Sequence, residues 1–274
     1  CHALVGSGDG AALVERILSK EKQIFAMEEE LDVEGCVMTI ASVMLIFENE
    51  ADSVVKKFIE VLSAARGAED NVFLRMKLMC TLFNMLSAPA AKFMVITSLL
   101  NYALETNQEK EVVTFVSRVE QWADSWKLEG AKRQEVSLLA YKVAKKISDA
   151  EDIASGMGGG GSGSGSSSSS SRESVTSNKS ALKFLISYLK SFPVGGVLPD
   201  EAARVVIPHI VDALKNAASS SFDQRRALHE GLQQSAASSS GDPVKSLLTL
   251  LGIICSGDKA QYDSFAKANA GEFK

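Results

Sequence analysis

Residues 69–146 read EDNVFLRMKLMCTLFNMLSAPAAKFMVITSLLNYALETNQEKEVVTFVSRVEQWADSWKLEGAKRQEVSLLAYKVAKK, and this stretch decides the fold. Apolar residues recur there at three- and four-residue intervals in four blocks: Glu69–Ser87, Ala88–Glu105, Glu109–Trp126 and Ala131–Lys146. That interval is the period of a helix with one buried side. Each block therefore predicts an amphipathic helix of roughly four to five turns at 3.6 residues per turn. Only Ser87-Ala88-Pro89, Thr106-Asn107-Gln108 and Leu128-Glu129-Gly130 separate the blocks. Connections this short force long helices to lie antiparallel to their neighbours. The expected fold class is all-α, a helical repeat array, and arrays of this kind hold other proteins together more often than they do chemistry.

Upstream, the same periodicity continues. Ala11–Glu29 carries Leu13, Ile17, Ile24 and Phe25 on a rough stripe and turns acidic at Glu28-Glu29-Glu30. Val33–Glu48 is apolar nearly all round (Val37, Met38, Ile40, Val43, Met44, Leu45, Ile46, Phe47), which predicts a helix sandwiched between neighbours. Ala51–Arg66 places Val54, Val55, Phe58, Ile59 and Leu62 on one face, with Gly67 as a natural stop. Fully buried helices alternating with one-faced helices suggest a two-layered stack. Each pair would span ~40 residues, the size range of tetratricopeptide and armadillo repeats.

Downstream, composition divides the chain. Residues 1–154 form N-terminal helical repeats, residues 155–176 a Gly/Ser-rich insertion, and residues 177–274 continuing helical repeats. The insertion holds Gly158–Gly161 and Ser166–Ser171, too little apolar surface to offset its ordering entropy, so a flexible coil is expected. An engineered linker would have this composition. The irregular order and the six-serine run favour a natural low-complexity insertion, and Ser219–Ser221 and Ser238–Ser240 repeat the same bias. Beyond it, helices are predicted over Asn178–Phe192, Asp200–Asn216, Phe222–Gln234, Asp242–Ser256 and Asp258–Ala270. Ser177 or Asn178 can cap the first, Pro199-Asp200-Glu201 starts the second, and Asp242-Pro243 sets a capping carboxylate before a first-turn proline. Pro208 is expected to kink the second of these helices or split it.

Bulk composition excludes several classes. Residues 1–154 carry 17 Lys/Arg against 24 Asp/Glu, net −7, and residues 155–274 carry 12 against 10, net +2. Neither part has the concentrated positive charge of a dedicated nucleic-acid module. Cys1, Cys36, Cys80 and Cys255 are widely spaced with no C-x-x-C pair, which fits free thiols in a reducing cytosol or nucleus. The longest apolar runs fall short of the ~20 residues that cross a bilayer. Asn178-Lys179-Ser180 matches a glycosylation sequon without a secretory signal beside it. A start at Cys1 rather than Met suggests a piece of a longer protein.

Catalytic signatures fail one by one. His2, His209 and His229 are far apart, with no second ligand at metal-site spacing. Gly158-x-Gly160-x-x-Gly163 matches a dinucleotide fingerprint in letters alone, since no strand precedes it and polyserine follows it. Trp122 and Trp126 stand at i, i+4, in line with Val112, Phe115, Val116 and Val119. A packing ridge is favoured there over an aromatic anchor for a partner. Lys132, Arg133, Lys142, Lys145 and Lys146 load one helix, read as a solvated face before a phosphate-binding one. Met76, Met79, Met85 and Met94 read as adaptable packing. No catalytic, cofactor-binding or metal-ligating residue is assigned.

Leu74-Arg75-Met76-Lys77-Leu78-Met79-Cys80-Thr81-Leu82-Phe83-Asn84-Met85-Leu86, then Lys92-Phe93 and Ser98-Leu99-Leu100, resemble the subunit M family of eukaryotic translation initiation factor 3. The turn from Arg118 to Trp122, the run Trp122-Ala123-Asp124-Ser125-Trp126, and Leu138-Leu139 with Tyr141 extend the likeness. More weakly, so do Ala181–Phe192, Ile210–Lys215 with Phe222-Asp223, and Leu247–Leu250 through Tyr262 and Phe265. The resemblance covers most of residues 33–274 and is specific over 69–146. It implies a PCI-domain scaffold, right-handed helical repeats leading into a winged helix. No strand signals for that winged helix occur before Lys274. It also implies a non-catalytic cytoplasmic subunit in a hetero-oligomer, with the other subunits of translation initiation factor 3 and the small ribosomal subunit as partners. Contact with rRNA or mRNA stays open, and no membrane role is implied. Two alternatives stand beside it: a PCI scaffold subunit of the proteasome lid or signalosome, and an RNA-binding helical adaptor.

Overall fold

The computed structural model describes residue 16 and residues 19–27, 29–46, 51–64, 71–156, 181–192, 200–215, 222–235 and 243–269. Several expectations lie outside these residues: Leu13, Ile17, Glu28, Phe47, Gly67, the caps at Ser177, Asn178, Pro199 and Asp242, the sequon, and both Ser-rich loops. Of the insertion expected at 155–176, only Ser155 and Gly156 are described, and a helix ends with them. Among the described residues the structure is helical throughout, with no strand. It divides into two compact units, residues 1–118 and 119–274.

The first unit contains α1 (Glu21–Phe25), α2 (Glu30–Ile46), α3 (Ala51–Ser63), α4 (Val72–Met85) and α5 (Pro89–Thr106). A 3-10 turn (Glu109–Val112) and α6 (Val113–Val116) follow. Helix α3 packs on α4 and α5, α4 packs on α5, and α2 packs on α3 and α4. The core they share includes Val55, Phe58, Leu62, Leu78, Met79, Leu82, Ile96, Leu99, Leu100 and Tyr102, all but inaccessible to solvent. Each such side chain contributes ~1.5–3 kcal/mol by leaving water. Pro89 sits in the first turn of α5, where its missing N–H removes no helical bond. Asn107 closes α5 in the left-handed conformation, letting the Gln108 N–H reach back to the Ala103 carbonyl.

Two sequence expectations change here. Helix α2 is not sandwiched on all sides. Val33, Val37, Ile40 and Ala41 are buried, whereas Leu31, Gly35, Thr39 and Ser42 face solvent. Small and hydroxylic residues make that outer face tolerable, because Thr39 and Ser42 donate to the Gly35 and Met38 carbonyls of their own helix. The predicted helix Glu109–Trp126 is also not continuous. It breaks into the 3-10 turn, α6 and a further helix, with a turn at Ser117-Arg118. The run Val112-Val113-Thr114-Phe115-Val116 is β-branched or aromatic at every position and loses side-chain freedom in a helix. Ser117 Oγ then donates to the Thr114 carbonyl at 2.8 Å.

Arg75 organises the first unit. It is 4% exposed and sits in the first turns of α4. Its Nη1 donates to the Val61 carbonyl at 2.7 Å, with a longer 3.5 Å contact to the Leu62 carbonyl. Both carbonyls belong to the last turn of α3, and the Val61 carbonyl also accepts the Ala64 amide at 3.4 Å. The guanidinium carbon also lies 3.6 Å from the centroid of the Phe25 ring. One side chain thus ties α1, α3 and α4. Lys77 Nζ adds a 2.7 Å ion pair to Glu34 Oε2 between the N-terminal halves of α4 and α2, but solvent screens an exposed pair of this kind.

The second unit holds α7 (Val119–Ser125), α8 (Gly130–Gly156), α9 (181–190), α10 (Asp200–Lys215), α11 (Phe222–Ser235), α12 (Pro243–Ser256) and α13 (Lys259–Ala268). Helix α8 runs past the expected end at Lys146, because residues 147–154 contain neither Gly nor Pro to stop it. Its buried side is Val136, Leu139, Ala140, Val143 and Ala144. Helix α9 runs antiparallel to it: Gln134 Nε2 donates to the Ser191 carbonyl at 3.2 Å, and the Ser137 and Ser187 hydroxyls meet at 3.5 Å. Pro208 does not split α10, which is continuous around it. The proline is exposed, so the carbonyl it orphans one turn back can turn to water. Gly231 of α11 faces Leu189 and Ile186 of α9, where an added Cβ would stand at an ordinary contact distance of 3.8–3.9 Å. Gly257 turns the chain at φ +70°, and Asp258 caps α13 by accepting from the Ala260 and Gln261 amides.

The Arg75 arrangement generates a prediction. Arg75→Met keeps most of the volume but removes the guanidinium's bonds to the Val61 and Leu62 carbonyls, and should cost about 2–3 kcal/mol in urea unfolding with an unchanged m value. A midpoint indistinguishable from that of the unaltered chain would show that water replaces the guanidinium without loss.

Candidate functional site

One concavity among the described residues lies wholly in the second unit. It is an open pocket of about 580 Å³ lined by Glu120, Leu128, Glu129, Gly130, Arg133, Lys183, Ile186, Ser187, Lys190 and Ser191. Helix α7 supplies Glu120, the turn 128–130 forms one lip, α8 supplies Arg133, and α9 supplies the opposite wall. The lip is set by backbone conformation: Lys127 and Gly130 have φ of +53°. The Leu128 amide returns to the Ala123 carbonyl at 2.9 Å, closing the end of α7.

Polar contacts hold the wall together. Arg133 Nη2 donates to Glu120 Oε2 at 3.3 Å and Nη1 to Asp124 Oδ1 at 2.8 Å, pinning α8 to α7. Ser187 Oγ donates to the same Glu120 oxygen at 2.9 Å, which brings in α9. Glu120 Oε1 is buried and accepts no hydrogen bond from the described residues. Lys183, Ile186, Ser187 and Lys190 follow an i, i+3, i+4, i+7 course, one stripe of α9 facing the pocket. The two lysines are exposed and in no ion pair among the described residues.

The residues singled out from sequence fall elsewhere or are changed by their partners. Trp122 and Trp126 do stack, with centroids 5.9 Å apart and planes 6° from parallel, and both are half-buried. They lie at the end of the short α7 rather than on one long ridge with Val112 and Phe115. Of the Lys132–Lys146 cations, Arg133 is engaged by Glu120 and Asp124, and Lys145 pairs with Asp149. Met76 and Met79 are buried in the first unit's core. Sequence reading missed Lys183 and Lys190, although their seven-residue spacing on a helix was a usable signal. The Glu120 cluster had no local signal, because its members are 13 and 67 residues apart.

Histidine chemistry is also partnered. His209 Nε2 and Tyr141 Oη share a 2.5 Å hydrogen bond between α8 and α10, with the rings edge-to-face at 5.2 Å. Burial, aided by the Asp149 charge, pushes the Tyr141 phenol up to about 12. Burial likewise pushes the Cys80 thiol up to about 11 and raises Cys255 against the opposing charges of Arg225 and Arg226. Thiols raised this way are poorer nucleophiles at neutral pH. Among the described residues, no three His, Cys, Asp or Glu side chains gather where they could hold a metal ion. No helix of the described residues is long and apolar enough to cross a membrane. No family model matches the chain, and no curated protein matches it either.

His229 on α11 lies against Gly252 of α12, where an added Cβ would come within 2.6 Å of its Nε2. Burial holds this imidazole below its ordinary value, with the Glu230 charge opposing. A depressed folded-state value means the unfolded chain protonates first as pH falls. Stability is thus fully present above about pH 6.5 and declines below it. Urea midpoints should drop between pH about 7.5 and about 5.5, and His229→Gln should make that drop shallower. An equal drop in both proteins would assign the pH dependence to other groups.

Proposed function

We propose that the chain is a non-catalytic scaffold subunit of eukaryotic translation initiation factor 3, acting in the cytoplasm. It would assemble with the factor's other subunits and help the factor engage the small ribosomal subunit. Two features support this reading. The stretch 69–146 has the residue pattern described above, and helices in the first unit pack on both the next helix and the one after it. That neighbour and next-neighbour packing, α2 on α3 and α4, α3 on α4 and α5, is how helix pairs propagate in a repeat array. The right-handed PCI-type array with its winged helix belongs to the same proposal.

A scaffold of this kind works by presenting rigid helical faces. Interfaces in permanent assemblies bury ~2,000 Å² or more, so affinity is spread over apolar ridges rather than focused in a few polar groups. The proteasome lid and signalosome use the same class of scaffold and remain the nearest alternative assemblies. The RNA-adaptor reading is weaker, because in-chain carboxylates engage Arg133 and Lys145 on the helix it would use.

The test is affinity capture of the tagged chain from a cytosolic lysate of its source organism, with quantitative mass spectrometry at moderate salt. Recovery of other initiation factor 3 subunits together with small-subunit ribosomal proteins is expected. Enrichment of lid or signalosome subunits instead would overturn the assignment.

A further inference from the structure

The first unit leaves three large apolar side chains in water at the N-terminal ends of α2 and α4. Leu31 is 75% exposed, Phe73 62% and Met27 41%. Single exposed apolar residues are ordinary on a protein surface, whereas several gathered at one place mark a contact surface. Contacts between the helices bring these three to the same end. Arg75 lies over Phe25, while Lys77 bonds Glu34 and also feels the charge of Glu30. Later residues of α4 thus meet later residues of the stretch 25–34, so α2 and α4 run in the same direction here. Leu31 stands one turn before Glu34, and Phe73 one turn before Lys77, so both precede the ion pair that joins their helices. Met27 falls between Phe25 and the start of α2.

Charge selects the occupant. Glu29, Glu30 and Asp32 flank Leu31 in sequence and are exposed. Glu29 and Asp32 are in no ion pair among the described residues. Glu30 and Asp32 complement the positive end of α2, which accounts for acidic residues there but not for an exposed leucine between them. A second copy of this chain, meeting the surface about a two-fold axis, would set these carboxylates against their own counterparts. Nucleic acid and anionic lipid are repelled for the same reason. The whole first unit adds to this field, with 11 Lys/Arg against 17 Asp/Glu over residues 1–118. A partner that satisfies both the carboxylates and the apolar side chains is one that carries cations beside aliphatic groups.

We propose that Met27, Leu31 and Phe73 form a docking surface for a basic amphipathic segment of a partner protein, with its aliphatic side chains on these three residues and its Lys or Arg side chains on Glu29 and Asp32. The inference does not depend on which assembly the chain joins, so its failure would leave the initiation-factor reading standing.

The experiment is fluorescence anisotropy of the full chain with a fluorescein-labelled Leu-Lys-Lys-Leu-Leu-Lys-Lys-Leu peptide, and with the same peptide carrying Glu in place of Lys. Saturable binding of the basic peptide alone is expected, weakening as salt rises. Leu31→Ser with Phe73→Ser should weaken it by about tenfold or more. Glu29→Lys with Asp32→Lys should weaken it in the same direction, and either pair suffices if the other fails to fold by urea unfolding. Glu111→Lys with Val113→Ser alters another exposed carboxylate and another exposed apolar residue of the same unit, and should leave binding unchanged. Absence of saturable binding, full binding by the folded variants, or equal loss in the Glu111 and Val113 control would overturn the proposal. Dimerisation of the unaltered chain in analytical ultracentrifugation, abolished by Leu31→Ser with Phe73→Ser, would instead identify a second copy as the occupant and overturn the partner assignment.

Discussion

The first unit depends on one buried cation. Arg75 occupies a position that periodicity assigns to the core, where a charged side chain is costly unless its hydrogen bonds are made. It makes them to backbone carbonyls at the end of α3, and it spreads its flat face on Phe25. At that helix end the Val61 carbonyl accepts both the guanidinium and, more weakly, the Ala64 amide, so the bonds that offset the burial of Arg75 are made in a turn that is already partly bonded. The consequence is geometric. Helix α3 must end where Arg75 can reach it, which fixes its height against α4 and, through Phe25, the position of α1.

The second unit solves a related problem with side chains instead. Three helices meet at Glu120, whose Oε2 accepts from Arg133 and Ser187 while Oε1 accepts nothing from the described residues. A half-satisfied buried carboxylate gives up stability. In return the cluster sets the distance between α7, α8 and α9, the three helices that shape the pocket. Tyr141 and His209 perform the same service between α8 and α10. Both devices join residues far apart in sequence, and both are polar contacts at seams between apolar faces.

This division explains what was readable from the chain. Helices α3, α4 and α5 were legible to within a few residues, since a long apolar stripe and a Pro or Asn boundary specify them redundantly. Legibility failed where two signals conflicted. In Val112–Val116 the apolar period favoured a helix and the β-branched content opposed it, and the chain broke into short turns. At Pro208 a single breaker was outweighed by an amphipathic helix with Ala202, Val206 and Ile210 buried on either side of it. Helix α2 misled for another reason. High average hydrophobicity concealed a face of Gly35, Thr39 and Ser42 that is small rather than apolar. Of the pocket only the Lys183 and Lys190 spacing was legible, because residues 120, 133 and 187 become neighbours only through the packing of three helices.

The perturbed thiols and phenol are shifted by burial, and the helical faces are fixed by contacts such as the Arg75 clamp. The account stands on that clamp acting as a coupled unit rather than as independent contacts. A double-mutant cycle between Arg75→Met and Phe25→Leu, read by urea unfolding, tests this most directly. Coupling of about 1 kcal/mol is the predicted result, and additivity within about 0.3 kcal/mol would contradict it.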